Sequence, residues 1–245
     1  LRRERLRREH IRRDSIARTA ALPGVTVTAT REPAAILAIP LAVTRVGTAE
    51  LRATSGYEID EALRRVPGVL AQSRYGTSDV RLVIRGSGAR GAGDRSNAGT
   101  SRSVRVLLDG IPETEPDGRT AFDNIDLAAV EAVEVIRSNA SSAWGNAAGG
   151  VVDVLSVPAV DRAVLELQPV AGAFGLRRVA VRTALPLGAV AAGGGGAVAY
   201  ASFTSSSFDG WREHSSARRA LLAMGVSGVV GAATRVGVHA VGATT

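Results

Sequence analysis

The loop behind the apolar run Val80–Ile84 reads RGSGARG, which puts Gly86, Gly88 and Gly91 at GxGxxG spacing directly after a strand candidate. Such glycines let backbone approach a pyrophosphate, and Asp109, at the end of the next strand candidate, stands about where a ribose-binding acid belongs. That chemistry needs a helix between the two strands, with its N-terminus facing the phosphates. The intervening GAGDRSNAGTSRS has no apolar face, so a loop is expected and the dinucleotide reading fails. The chain has no cysteine, which excludes disulfides, thiolate zinc sites and cysteine nucleophiles. His10, His214 and His239 lie far apart without metal-ligand spacing, and no GxSxG elbow occurs. Asn139-Ala140-Ser141 is a formal sequon, read as incidental. The residues predict no enzyme, no resident cofactor and no metal site.

What the loops do offer is guanidinium. Arg90, Arg95 and Arg102 sit in the Gly86–Arg102 loop, and Asp117 and Arg119 in EPDGRTAFDN. Guanidinium clusters favour carboxylate- or phosphate-bearing ligands through bidentate hydrogen bonds. A nucleic-acid partner is not expected, although the net charge is +7. All basic residues are arginine, and Leu1–Arg18 holds eight of them against Glu4, Glu9 and Asp14, a surplus of five that leaves +2 for the rest. Its apolar residues recur every five positions, which suits neither helix nor strand, so residues 1–23 read as a solvated basic leader.

The elements that would position these loops change character along the chain. After Pro23-Gly24, VTVTATR (Val25–Arg31) alternates β-branched residues as a strand does. Thr48–Thr54 suits a short helix. Ser55-Gly56-Tyr57-Glu58 has capping-box spacing, with Ile59, Leu63 and Val66 on one helical face and Pro67-Gly68 as the stop. Strands are expected at Val69–Gln72, Val80–Ile84, Val104–Leu108, Val133–Ile136 and Val151–Leu155, and a helix between Asp126, as N-cap, and Glu131. Residues 24–157 therefore read as a small α+β domain with long loops.

Beyond Pro158 the period becomes two. Arg178, Ala180, Arg182 and Ala184 alternate with Val179, Val181, Thr183 and Leu185; Arg235, Gly237 and His239 alternate with Val236, Val238 and Ala240. Ala197–Thr204 is another alternating segment. Segments of ~9–11 residues with this dyad suit a membrane β-barrel, in which the arginines must face the lumen because a lipid-facing arginine costs ~2–4 kcal/mol at mid-bilayer. A soluble sandwich with one wet face has the same period. Residues 158–245 should supply about four to six strands at that segment length. No apolar stretch approaches the ~20 residues of a membrane helix, and both ends read as cuts in a longer protein.

Six segments in order resemble one family. VTVTATR, EALRRVPGVLAQ (Glu61–Gln72), LVIRGSG (Leu82–Gly88), VRVLLDGIP (Val104–Pro112), VEVIRSNASSAWGNAAGGVVDVLS (Val133–Ser156) and FDGWREHS (Phe208–Ser215) are similar to the plug and early barrel of TonB-dependent outer-membrane receptors. The chain departs from the family at Arg137-Ser138-Asn139 (commonly Arg-Gly-Pro), at Trp144-Gly145 (commonly Tyr-Gly) and at Asp153 (usually Asn). The resemblance implies an α+β plug inside a barrel of about 22 strands, of which this chain would hold the first antiparallel strands. It implies transport of a ligand across the bacterial outer membrane, with TonB and its inner-membrane energising complex and outer-membrane lipid as partners. Val25, Thr26, Val27, Thr28 and Ala29 stand where the family has its TonB box, which pairs by strand addition; an ordinary edge strand is the other reading. Arg85 and Arg137 are implied to latch plug to barrel by pairing with barrel carboxylates, or to be plain surface charges. Gly86, Asp109, Gly110, Glu134, Gly145, Gly149 and Gly150 fall on structural plug motifs. DGIPETEPDGRT resembles ferric-citrate receptors, so the arginine-bearing loops imply an anionic ferric chelate or siderophore. Cobalamin, another metal complex or an oligosaccharide would keep the same fold, and a soluble plug-like binding module would discard the barrel.

Overall fold

The computed structural model describes residues 26–28, 34–73, 80–88, 103–114, 120, 122, 124–187, 196–230 and 234–244. Residues 1–40 form one unit and residues 41–245 a second. In the first, two-residue strands β1 (Thr26–Val27) and β2 (Ala34–Ala35) pair antiparallel, and a 3-10 turn covers Ile36–Ala38.

The second unit begins with β3 (Val43–Val46), then α1 (Thr48–Arg52) and α2 (Asp60–Leu63). β4 (Val69–Ser73), β5 (Val80–Ile84) and β6 (Ser87–Gly88) make a small antiparallel sheet. β7 (Val104–Leu108), β8 (Ile111–Pro112), β9 (Ala132–Ile136), α3 (Ser141–Trp144) and β10 (Gly150–Leu155) follow. Five of these strands form a mixed sheet in the order β3-β9-β10-β7-β8, with β7 and β10 parallel. One face of it, carrying Val46, Val106, Val133, Val135, Val152 and Val154, packs on Leu51, Ile59, Leu63 and Leu82 to form the core. These strands are nearly continuous apolar runs because the sheet is covered on both faces, as Val151 and Ile136 on the opposite face are also buried.

Two expectations are corrected here. The helix at Ile59–Val66 is only the four residues Asp60–Leu63. Its box is closed by Glu61 rather than Glu58: Ser55 N donates to Glu61 Oε2 at 2.7 Å and Tyr57 N to Glu61 Oε1 at 3.2 Å. Leu127–Ala129 is a turn and not a helix. Asp126 does accept Ala128 N at 3.0 Å, but that cap is followed by no second turn, since Arg52 takes the carbonyls of Leu127, Ala128 and Val130.

After Pro158 the chain forms an antiparallel meander. Its strands are β11 (Val164–Ala171), β12 (Arg177–Leu187), β13 (Ala197–Phe208), β14 (Ala217–Val230) and β15 (Thr234–Thr244). That is five strands among the described residues, inside the expected four to six. The register lines Arg178, Ala180, Arg182 and Ala184 up with Ser206, Thr204, Ser202 and Tyr200, and all eight are buried. The other face exposes Leu167 (66%), Val179, Val181, Leu185, Phe203, Leu222, Met224 and Val238. A β12 of 11 residues, at ~3.4 Å each, is long enough to cross a hydrocarbon layer at a tilt. The sheet is therefore apolar outward and polar inward, the arrangement of a membrane barrel wall. β11 and β15 each have one unpaired edge among the described residues.

A bilayer tolerates no open sheet edge. The 245-residue chain expressed alone should be extracted from membranes by carbonate or urea; a heat-modifiable, extraction-resistant species would contradict this.

Candidate functional site

The two hairpin motifs of the first domain have one physical cause. Arg85-Gly86 joins β5 to β6, Asp109-Gly110 joins β7 to β8, and all four residues have positive φ: 49°, 82°, 51° and 82°. Two-residue connections with both central residues left-handed are type I′ turns, whose twist matches the flanking strands and whose second position favours glycine. Gly86 and Gly88 of the GxGxxG spacing thus lie in a hairpin, which agrees with rejecting the dinucleotide reading, while Gly91 lies outside the described residues. Gly145 follows α3, and Gly149 and Gly150 lead into β10.

The turns place side chains. Asp109 turns its carboxylate to Ser156, accepting Ser156 N at 2.8 Å and its hydroxyl. Ser156 Oγ lies 3.2 Å from Tyr200 OH, which lies 3.2 Å from His239 Nδ1. His239 Nδ1 is 4.0 Å from Asp109 Oδ2, so this chain of polar groups runs from the sheet turn to β13 and β15. Arg85 and Arg137 come together: Arg85 Nη1 donates to Arg137 O at 3.1 Å and Arg137 Nη1 to Pro67 O at 3.2 Å. Among the described residues neither makes an ion pair.

The strongest coupling between sheet and wall has the opposite polarity, with the arginine on the wall. Arg178, 2% exposed, lies 3.6 Å from Asp126 Oδ1 and donates through Nη1 to Gln168 Oε1 at 3.1 Å and Ser55 O at 3.3 Å. Asp126 Oδ2 accepts Thr204 Oγ1 at 2.8 Å. Gly56, at φ +66°, is what admits the guanidinium: a Cβ there would stand 2.9 Å from Arg178 Cζ. Four residues along β12, Arg182 Nη2 reaches Glu131 Oε2 at 2.6 Å and Nη1 reaches Glu166 Oε2 at 3.4 Å. Glu166 also accepts Arg52 Nε at 3.2 Å, and Thr48 Oγ1 donates to Glu131 Oε1 at 2.7 Å. Farther along the wall Arg219 Nη2 caps Tyr57 O at 2.5 Å, and the Tyr57 and Phe208 rings meet at 5.9 Å. The alternation of β12 revealed that Arg178 and Arg182 face inward; nothing in it revealed which carboxylates they meet.

Beside this contact Glu58 is buried with Oε1 unpartnered. Burial pushes its carboxyl up to about 7, the Ser73 hydroxyl opposing this and Asp60 adding to it.

Arg90, Arg95, Arg102, Asp117 and Arg119 lie outside the described residues, as do Val25 and Ala29 of the N-terminal segment. Thr26 and Val27 pair with Ala35 and Ala34 of their own chain.

Residues 35–151 match the profile of the TonB-dependent Receptor Plug Domain. A vitamin B12 transporter of Photobacterium profundum is 27% identical over 167 residues, covering 67% of this chain and 25% of that protein. A hemin receptor of Yersinia pestis is 30% identical over 139 residues, covering 56% of this chain and 19% of its own length. Among solved structures, the pyoverdine outer membrane receptor of Pseudomonas aeruginosa PAO1 bound to pyoverdine superposes with a TM-score of 0.66 at 18% identity, over 87% of this chain and 29% of that one. The ferric-catecholate import receptor of E. coli K12 superposes with a TM-score of 0.62 at 17% identity, over 87% and 29%. The chain thus spans about a quarter of the length of the proteins it matches.

Removing one member of a buried ion pair strands the other and costs ~3–5 kcal/mol. Arg178→Ala in the full-length protein should raise amide exchange in 126–131 by at least about a hundredfold, and Gly56→Ala should act in the same direction. Unchanged exchange in both would show that the contact holds nothing.

Proposed function

The chain carries the plug domain of a TonB-dependent receptor followed by the first strands of its barrel, and on that premise we propose that the protein takes up a ligand across the bacterial outer membrane. The observation that supports this most is the two-faced wall, apolar where lipid would lie and holding buried arginines where the plug lies. We take residues 24–157 as plug and 158–245 as the start of the barrel. The proteins it resembles are named as transporters and receptors, and no residue set with catalytic spacing appears in the sequence.

In this reading the wall fixes the plug at Asp126, Glu131 and the Ser55–Tyr57 turn, so that rearrangement falls on the remainder. The segment Val25–Ala29 serves as the TonB box: leaving its short pairing with Ala34–Ala35 costs little, and its β-branched residues suit strand addition to TonB. Arg85 and Arg137, adjacent and supplied among the described residues only with backbone carbonyls, await carboxylates from barrel strands outside this chain.

The ligand we favour is an anionic ferric chelate of the siderophore or citrate kind. Arg90, Arg95, Arg102 and Arg119, with Asp117, form the receiving loops, since guanidinium groups bind carboxylates in bidentate fashion. Cobalamin is the second reading, favoured by the vitamin B12 transporter among the relatives.

Two measurements test this. Uptake of radiolabelled ferric citrate by an uptake-deficient host carrying the full-length gene should require both the gene and TonB. The double variant Arg90→Gln, Arg95→Gln should weaken ferric-chelate binding at least about tenfold, as expected for losing charged hydrogen bonds; unchanged affinity would sink the anionic-chelate assignment. Labelled cyanocobalamin run in parallel decides for the second reading if it alone is taken up.

A further inference from the structure

The mixed sheet holds a charge row that neither wall nor ligand uses. Cross-strand register sets Arg45 of β3 opposite Glu134 of β9, and Glu134 opposite Asp153 of β10. Arg45 Nη1 donates to Glu134 Oε1 at 2.5 Å. Glu134 is 0% exposed and Asp153 4%, and among the described residues Asp153 Oδ1 has no hydrogen-bond partner. Directly opposed side chains in such a ladder stand ~4.5–5.5 Å apart at Cβ, and like charges there are destabilising. The row therefore holds two buried carboxyl groups and a single guanidinium, that of the partly exposed Arg45.

Among the described residues, the groups facing Asp153 leave it no cation. On the β9 side stands Glu134; on the β7 side its register partner is Leu107, and the adjoining turn supplies the Gly110 N–H and the Asp109 carboxylate. Asp109 is itself occupied by Ser156. Arg105 lies a row away, opposite Val151. Burial, with Glu134 and Asp109 adding to it against the Gly110 N–H, holds the Asp153 carboxyl up at about 7.

We propose that this row makes the seating of β3 proton-linked: the closed sheet keeps a proton on Asp153, and lifting β3 lets water in and releases that proton to solvent. β3 is an edge strand held to the sheet by four residue pairs with β9, and Arg45–Glu134 is the only one of them made by side chains of opposite charge. A solvated Asp153 returns to the ordinary aspartate range near 4. The sign follows from linkage: the closed state binds the proton more tightly, so closure is strongest at acid pH. It weakens as pH rises from about 4 to about 7, and is level above that. Whatever draws on the chain before Leu41 reaches the sheet through β3, so acidification stiffens that point.

The test is amide exchange of the peptide covering β3 in the full-length protein in detergent, corrected for intrinsic rates, between pH 5.5 and 7.5. The opening constant should rise about tenfold or more in the wild type and less than about twofold in Asp153→Asn, which is near-isosteric and carries no proton to lose. Glu134→Gln, by removing the facing charge, should narrow the pH window. Repeating the series in a Glu58→Gln background separates this slope from that of Glu58. A flat wild-type profile, or an Asp153→Asn profile as steep as the wild type, overturns the proposal.

Discussion

The contact on which the architecture turns is the burial of Arg178 against Asp126. A sheet whose outer face meets lipid must dispose of its polar side chains inward, and a charged group taken from water needs partners of good geometry to be tolerated there. Gln168 Oε1 and Ser55 O accept from Nη1 and Asp126 stands at ion-pair distance, its carboxylate oriented by Thr204, while Nε and Nη2 have no hydrogen-bond partner among the described residues. The Gly56 notch matters as much as the charges, because it allows the guanidinium to reach a backbone carbonyl. Arg182, Glu131, Glu166 and Arg52 then extend the contact as alternating charges along the interface.

Stability in the plug rests on two materials kept apart. The face of Val46, Val106, Val133, Val135, Val152 and Val154 on Leu51, Ile59 and Leu63 is apolar and fully covered. Burial of each such side chain contributes ~1.5–3 kcal/mol, and the effect hardly depends on pH. The opposite face carries Arg45, Glu134 and Asp153, the last on the central strand β10, and the turn before α2 carries Glu58, so the ionisable groups lie apart from this apolar face.

How much of this was legible in the sequence depended on the range of each interaction. β5 and β7 were bounded as found, because periodicity and the RG and DG turns that end them are local signals. The inward face of β12 was legible for the same reason: a period of two needs no partner to be read. Asp126 was misread as the cap of a helix because its local hydrogen bond is that of a cap; the residues that arrest the helix, Arg52 and Arg178, come from 74 positions before and 52 after. Glu58 has capping-box spacing from Ser55, but packing buries it and leaves Glu61, six residues on, to accept from Ser55 N. Arg45, opposite Glu134, went unmarked because a four-residue edge strand has too short a period to register.

The Arg178 clasp also orders events in time. Its partner Ser55 lies 123 residues earlier in the chain, a separation whose loop-closure entropy makes late, slow formation the rule. Until the Ser55–Tyr57 turn, Asp126 and Glu131 are in place, Arg178 and Arg182 on the inner face of β12 have, among the described residues, only Gln168 and Glu166 of the wall as side-chain partners. The carboxylates and backbone carbonyl of the first domain complete the pairing of these two arginines, so the first strands of the wall settle against it.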